Sequence, residues 1–197
     1  MTIIAIVLDE SGSMGICRDK TIEAFNKLLE EQKNESFLPK NDFAATKEDK
    51  VFLVTFNNAV KFLAEAVPIS KVELLTRETY KPKNSTALND AIMDTISRVC
   101  EYLQCNDASE KVVMAIFTDG EENMSTRYTN EQRNESIERM QQFANWKICY
   151  VGPEADEIRS KAKVKDSMIY SDGADPKESF DFMSSSISNH RKQKLEK

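Results

Sequence analysis

Oxygen-bearing side chains gather at the ends of two apolar runs and at the start of a third pattern. Ile3–Leu8 runs directly into Asp9-Glu10-Ser11-Gly12-Ser13, and Val112–Phe117 runs into Thr118-Asp119-Gly120. Between them, Ser85-Thr86 precedes a long helical pattern. Two carboxylates, Asp9 and Asp119, and three hydroxyls, Ser11, Ser13 and Thr86, form an all-oxygen set. Such a set suits a hard divalent cation: two carboxylates balance its charge, and magnesium takes six oxygens at roughly 2.1 Å. Any one of these loops alone reads as an ordinary turn, and Thr86 alone as a helix cap. Their joint placement is what points to a metal.

The flanking elements must bring these loops together. Ile3–Leu8, Val51–Phe56 and Val112–Phe117 are unbroken apolar runs, the pattern of strands covered on both faces. Asn57-Asn58 separates the second run from an alternating segment, Val60 to Ala66, which predicts a hairpin and one antiparallel strand. Further strands are expected at Ile148–Val151 and Met168–Tyr170. Ile22, Phe25, Leu28 and Leu29 predict an amphipathic helix of three to four turns. Leu88, Ile92, Ile96, Val99 and Leu103 predict a longer one. Thr129 and Gln132 form a capping-box pattern before a helix whose Ile137, Met140 and Ala144 are expected to face inward, Ala155 to Ala162 suggests a short helix, and Asp175-Pro176-Lys177-Glu178 is a strong start for the last one. Asn34 to Lys50 reads as a loop, with Phe37, Leu38 and Phe43 as packing anchors. A short helical turn is expected near Val72–Leu75.

Strands alternating with helices predict a doubly wound, Rossmann-like α/β fold. The open sheet has about six strands, mostly parallel with one antiparallel edge strand, and helices on both faces. Ligands bind such sheets beyond the strand carboxyl ends, where strand order reverses. In the expected order 3-2-1-4-5-6, that point lies between the strand ending at Asp9 and the strand ending at Asp119. Two carboxylates at close range raise each other's pKa unless a cation lies between them.

Asp9-x-Ser11-x-Ser13, Thr86 within Ser-Thr-Ala-Leu-Asn-Asp-Ala, and Asp119 within Thr-Asp-Gly resemble, in order, the three loops of the metal-ion-dependent adhesion site of von Willebrand factor A domains. The resemblance covers nearly the whole chain. It implies that Ser11, Ser13 and often Thr86 touch a Mg2+ ion, with Mn2+ or Ca2+ as substitutes, while Asp9 and Asp119 act directly or through water. It also implies a binding module, not an enzyme, in which a Glu or Asp carboxylate of a partner protein completes the metal shell. The chain resembles stand-alone intracellular members of bacterial or phage-like kind, some of which serve larger ATPase or stress-response assemblies. One departure is Asn84, where many members carry Gly.

Composition bounds the alternatives. The 197 residues are 40% hydrophobic and 30% charged, with net charge -6. That size and balance fit a single globular domain, here 1–190, with 191–197 as a basic C-terminal tail. The acidic balance disfavours nucleic acid. No apolar run approaches the roughly 20 residues of a membrane span. Cys17, Cys100, Cys105 and Cys149 show no paired metal-ligand spacing, so reduced thiols and a cytoplasmic location are expected. The alternative function is a Mg2+-dependent, phosphatase-like hydrolase at the same site. Against it, a second aspartate is replaced by Ser11, the one histidine, His190, lies near the C-terminus, and no Gly-rich Lys-Ser/Thr loop is present. Glu121 is the residue left to activate water. Glu10, Glu121 and Glu122 are expected to form a solvated acidic rim, which Arg18 and Arg127 could offset. Met14 and Ile16 are open between packing and contact, and Trp146 is expected in the core.

Overall fold

A computed structural model describes residues 1–36, 48–164, 166–168 and 175–193. Six strands form one sheet in the order β3-β2-β1-β4-β5-β6: β1 Thr2–Asp9, β2 Lys50–Phe56, β3 Val60–Pro68, β4 Lys111–Phe117, β5 Trp146–Val151 and β6 Asp166–Met168. All neighbours pair in parallel except β2 with β3. The expected order and the lone antiparallel strand are both present. The last strand begins earlier than its sequence pattern suggested, and Tyr170 lies outside the described residues.

The central strand shows why the apolar runs do not alternate. Ile3, Ala5 and Val7 of β1 face one core, and Ile4, Ile6 and Leu8 face the other. Strand side chains alternate by two, so burial on both sides demands an apolar residue at every position. Each such Ile, Val or Leu side chain contributes roughly 1.5–3 kcal/mol relative to exposure. One face is covered by α1 Arg18–Ser36 and α5 Pro176–Lys192. The other is covered by α2 Leu88–Cys105, α3 Asn130–Gln141 and α4 Ala155–Lys161. The α1 stripe is Thr21, Ala24, Phe25, Leu28, Leu29 and Gln32, the three-and-four spacing of a helix with one buried face. It extends α1 through Ser36, past the expected loop start at Asn34; Phe37, Leu38 and Phe43 lie outside the described residues.

The caps read from sequence are in place. Thr129 and Gln132 satisfy each other's backbone in a capping box, and Asp175 accepts from the Lys177 N–H at 3.3 Å ahead of Pro176. The helical turn expected at Val72–Leu75 is absent; a 3-10 turn forms at Ile69–Lys71 instead, tied by the Ile69 N–H to Asp49 O. Trp146 is buried as the first residue of β5.

The pole of the sheet opposite the strand ends is closed by charges that the sequence presented as a tail. Arg191 is buried within α5, and its Nε lies 2.9 Å from Asp49 Oδ2 while Nη1 lies 2.9 Å from Glu35. Asp49 Oδ1 also accepts the Thr2 N–H at 2.7 Å. Lys111 Nζ donates to the carbonyls of His190 at 3.0 Å and Arg191 at 2.8 Å, filling acceptors that a helix end leaves open. The helix therefore continues past the expected boundary at 190; residues 194–197 lie outside the described residues. Among the described residues, no helix is long and apolar enough to cross a membrane.

Candidate metal centre

Strands β1 and β4 are adjacent, with Leu8 paired to Phe117, so the residues that follow each emerge side by side. This is the strand-order reversal where a crevice is expected. Asp9 closes β1 and is fully buried. Its Oδ1 accepts the Ser11 N–H at 2.6 Å, and its Oδ2 accepts the Thr118 hydroxyl at 2.6 Å. The Tyr80 hydroxyl donates to Asp9 O at 2.6 Å from beneath. The carboxylate is thus oriented by the first and third loops, while Tyr80 holds the residue's backbone.

Above it, Ser11 Oγ and Ser13 Oγ lie 3.1 Å apart, and Ser13 Oγ donates to Asp119 Oδ1 at 2.6 Å. Thr86 joins from the second loop. A Cβ added at Gly120 would stand 3.3 Å from Thr86 Oγ1 and 3.9 Å from Ser13 Oγ, so both hydroxyls face the space that this glycine leaves open. All five residues singled out in the sequence therefore meet at one place. Asp9, Ser11 and Thr86 are buried, Asp119 is half-buried and Ser13 is exposed, which opens the site on the Ser13 side. Thr86 does not cap α2: that position is Ala87, without a side-chain bond.

Backbone contacts lock the loops. Glu10 O accepts from the Lys83 N–H at 3.0 Å and Asn84 O accepts from the Gly12 N–H at 2.9 Å, which zips the first loop to the second. Gly12 has an ordinary right-handed backbone, φ -63 and ψ -33. Its role is close approach, since a Cβ there would stand 3.3 Å from Asn84 O. Asn84 takes φ 66, a left-handed conformation that asparagine tolerates and β-branched residues do not. The departure from Gly thus keeps the loop shape that a glycine would give. Thr86 O accepts from the N–H groups of Asn123 and Met124, at 3.1 and 3.2 Å, which zips the second loop to the third.

Two carboxylates expected on a solvated rim are structural. Glu10 is buried, accepting from the Lys81 N–H and from Lys61 Nζ at 3.2 Å. Glu122 accepts from the N–H groups of Met124 at 2.8 Å, Ser125 at 2.7 Å and Asn89 at 2.7 Å, so it organises the third loop and satisfies the start of α2. Its own N–H donates to Glu154, whose other oxygen pairs at 2.6 Å with Arg133, a fully buried residue of α3. Arg133 escaped sequence reading because an arginine in a polar helix looks like a solvated one. Only Glu121 of the three is exposed. Neither expected counter-charge faces the site. Arg18 Nε donates to Tyr80 O at 3.1 Å, and Arg127 pairs with Asp94 at 2.7 Å and Asp90 at 3.4 Å. Met14 is buried and anchors its turn, whereas Ile16 is 98% exposed.

The electrostatics are those of a site short of positive charge. Burial pushes the Asp9 carboxyl from 3.8 up to about 6; hydrogen bonds from Thr118 and Ser11 oppose the rise and the charge of Asp119 adds to it. Burial also raises Asp119, against the lowering effect of the Ser13 hydroxyl. Among the described residues, no three His, Cys, Asp or Glu side chains converge as a metal-binding group. An ion at this site would therefore rest on hydroxyls and two carboxylates. His190 lies at the other pole, its Nε2 3.1 Å from Asn145 O just ahead of β5.

No family model matches the sequence, and no curated protein does. Solved structures do. The vWF domain of the type V pili tip protein Mfa5 from Porphyromonas gingivalis superposes with a TM-score of 0.63 at 11% identity, covering 100% of this chain and 97% of that one. Proximal thread matrix protein 1 from the mussel byssus superposes at 0.61 and 14% identity, covering 96% of this chain and 46% of that one. A structure of the same mussel protein with a zinc occupied MIDAS motif gives 0.56 at 15% identity, over 93% of this chain and 45% of that one. This chain thus spans about half the length of the mussel protein. At these identities the likeness is one of fold: the chain has the von Willebrand factor A fold.

Proposed function

We propose that this domain holds a Mg2+ ion on Asp9, Ser11, Ser13, Thr86 and Asp119 and through it captures a Glu or Asp carboxylate of a partner protein. The observation that carries this is the oxygen cluster itself, Ser11 Oγ to Ser13 Oγ at 3.1 Å and Ser13 Oγ to Asp119 at 2.6 Å. Neighbouring oxygens of an octahedral shell at roughly 2.1 Å lie roughly 3 Å apart, so the residues present fit a hard ion. Mn2+ or Ca2+ suits the same oxygens. Bound there, the ion would supply a Lewis-acidic position for an outside carboxylate.

The chain's own residues do the rest. Thr118 and the Ser11 N–H hold Asp9 in one orientation, and Glu122 with Glu154 and Arg133 fixes the loop that carries Asp119. Ser13, the exposed member, borders the open side where a partner's carboxylate would arrive. Among the described residues, the histidine is at the other pole and Glu10 and Glu122 accept from backbone N–H groups, which leaves exposed Glu121, two residues after Asp119, as the base that the hydrolase alternative would need. The test is thermal unfolding of chelator-treated protein titrated with Mg2+ and Mn2+, beside Asp9→Ala. A saturable rise in Tm that the variant lacks supports the site. No rise, with or without acetate, rejects it. Turnover of a phosphoester panel by the metal-loaded protein would favour the hydrolase instead.

A further inference from the structure

Between the 3-10 turn at Ile69–Lys71 and α2, the chain forms a strap that is tied to α1 and ends behind the first loop of the site. Its ties come at three levels. Asn26 accepts the Leu75 N–H at 2.8 Å and donates to Leu75 O at 2.9 Å. Arg77 Nε donates to Asp19 at 2.8 Å. Arg18 Nε donates to Tyr80 O at 3.1 Å. Tyr80 is fully buried, and its hydroxyl donates to Asp9 O at 2.6 Å.

The peptide between Asp9 and Glu10 is therefore held at both ends. Its oxygen is held by Tyr80, and its N–H donates to Phe56 O at 2.6 Å. The loop that follows is held through Glu10 O, which accepts the Lys83 N–H at 3.0 Å, and through the Gly12 N–H, which donates to Asn84 O at 2.9 Å. The backbone that carries Asp9, Ser11 and Ser13 is thus gripped through atoms other than the side-chain oxygens of the site. Of these four bonds, only the one from Tyr80 is made by a side chain. A phenylalanine would fill the same space without it. A buried phenol hydroxyl needs a partner, and Asp9 O is that partner.

A loop gripped in this way resists spreading, and that bears on which ion it fits. Ser11 Oγ and Ser13 Oγ lie 3.1 Å apart, near the roughly 3 Å edge of an octahedron around Mg2+. Ca2+ keeps its oxygens at roughly 2.3–2.6 Å, which asks for edges of roughly 3.3–3.7 Å, and it tolerates irregular shells where Mg2+ does not. We propose that Tyr80 is a positioning residue for the metal centre, and that its hydrogen bond to Asp9 O makes the site prefer a small, strictly octahedral cation over a larger one. This rests on the proposed metal binding by Asp9, Ser11, Ser13, Thr86 and Asp119 and adds what sets the choice of ion. Tyr80 does not touch the ion; it acts through the backbone of Asp9.

The experiment is calorimetric titration of the chelator-treated full chain with Mg2+ and, separately, with Ca2+. It compares the parent with Tyr80→Phe, Asn26→Ala and Arg191→Ala. Asn26→Ala frees the strap at Leu75 and keeps the Tyr80 hydroxyl, whereas Arg191→Ala weakens the fold at the opposite pole. The parent is expected to bind Mg2+ more tightly than Ca2+. Tyr80→Phe should lower Mg2+ affinity about tenfold, the loss expected when a group supporting a metal ligand is removed. Its Ca2+ affinity should fall by less than about threefold, so the preference shrinks. Asn26→Ala should shift the preference the same way by a smaller amount, and Arg191→Ala should leave it as in the parent. Equal losses for the two ions in Tyr80→Phe, no loss for either, or a parent without preference overturns the proposal and leaves the metal site standing. A like shift in Arg191→Ala overturns it too, because any weakened fold would then show it. Should Tyr80→Phe fail to fold, an unshifted preference in Asn26→Ala overturns it. A parent that binds neither ion overturns both the proposal and the metal site.

Discussion

Ser13 Oγ donates to Asp119 Oδ1 at 2.6 Å, joining two loops that are 106 residues apart in the chain. The bond couples a hydroxyl at the open side of the crevice to a carboxylate that burial has made harder to ionise. A short hydrogen bond of this kind offsets part of a carboxylate's lost hydration, and a cation would offset more.

Ser13→Ala separates metal binding from folding. Ser13 is exposed, so losing its hydroxyl should change the stability of metal-free protein by only about 1 kcal/mol. The Mg2+ affinity should fall tenfold or more. At 100 times its Kd, Mg2+ adds about 2.7 kcal/mol to the parent protein, roughly 5–10 °C in Tm for a domain of this size. The variant should show a much smaller shift at the same concentration.

Acid should release the ion. The Asp9 carboxyl titrates at about 6, so below that pH a proton occupies it and metal must displace the proton. Calorimetric titration is expected to show weaker Mg2+ binding at pH 5 than at pH 7.5, with proton release at the lower pH. In metal-free protein the sign runs the other way. A carboxyl raised from 3.8 to about 6 contributes stability that is full below 3.8 and lost as pH rises through about 6. Asp9→Asn should remove both dependences.

His190 gives an opposite slope from the other pole. Burial pushes its pKa below 6.5, so the neutral ring is the stable folded form. Its contribution is full above 6.5 and is lost as pH falls through the lowered value. His190→Gln should flatten that part of the Tm profile and leave Mg2+ affinity unchanged.

Arg191→Ala should destabilise the fold by about 3–5 kcal/mol, because it strands the buried Asp49 carboxylate. Urea unfolding reads the loss. The Mg2+ affinity of the folded fraction should equal that of the parent, since the ion pair lies at the pole opposite the site.

Asn84 tests the loop that presents Thr86. Asn84→Gly should stay within about 1 kcal/mol of the parent, because glycine adopts φ 66 freely. Asn84→Val should cost about 1–3 kcal/mol and weaken Mg2+ binding.

Much of this was legible in the chain because strands covered on both faces leave a strong signature and the site residues lie at strand ends. Ile3–Leu8 and Val112–Phe117 announce adjacent central strands, and parallel topology then forces Asp9 and Asp119 together. What escaped was the fate of charges. Glu10, Glu122, Arg133 and Arg191 look like surface residues one at a time. Each is tied to a distant group that needs it: the Lys81 N–H, the start of α2, Glu154 or Asp49. Sequence spacing cannot show that a backbone donor some seventy residues away lacks an acceptor. The turn at Ile69–Lys71 was misplaced for a similar reason, since Asp49 O fixes it and the local pattern does not.

The clamp on the end of α5 also determines what the domain can transmit. Long-range signalling needs an element with two arrangements of comparable free energy. Sliding α5 along the sheet would separate Arg191 from Asp49 and Lys111 from the helix carbonyls it caps, leaving charges unpaired in the interior. That penalty is several kcal/mol. The clamp therefore opposes any sliding of α5 along the sheet.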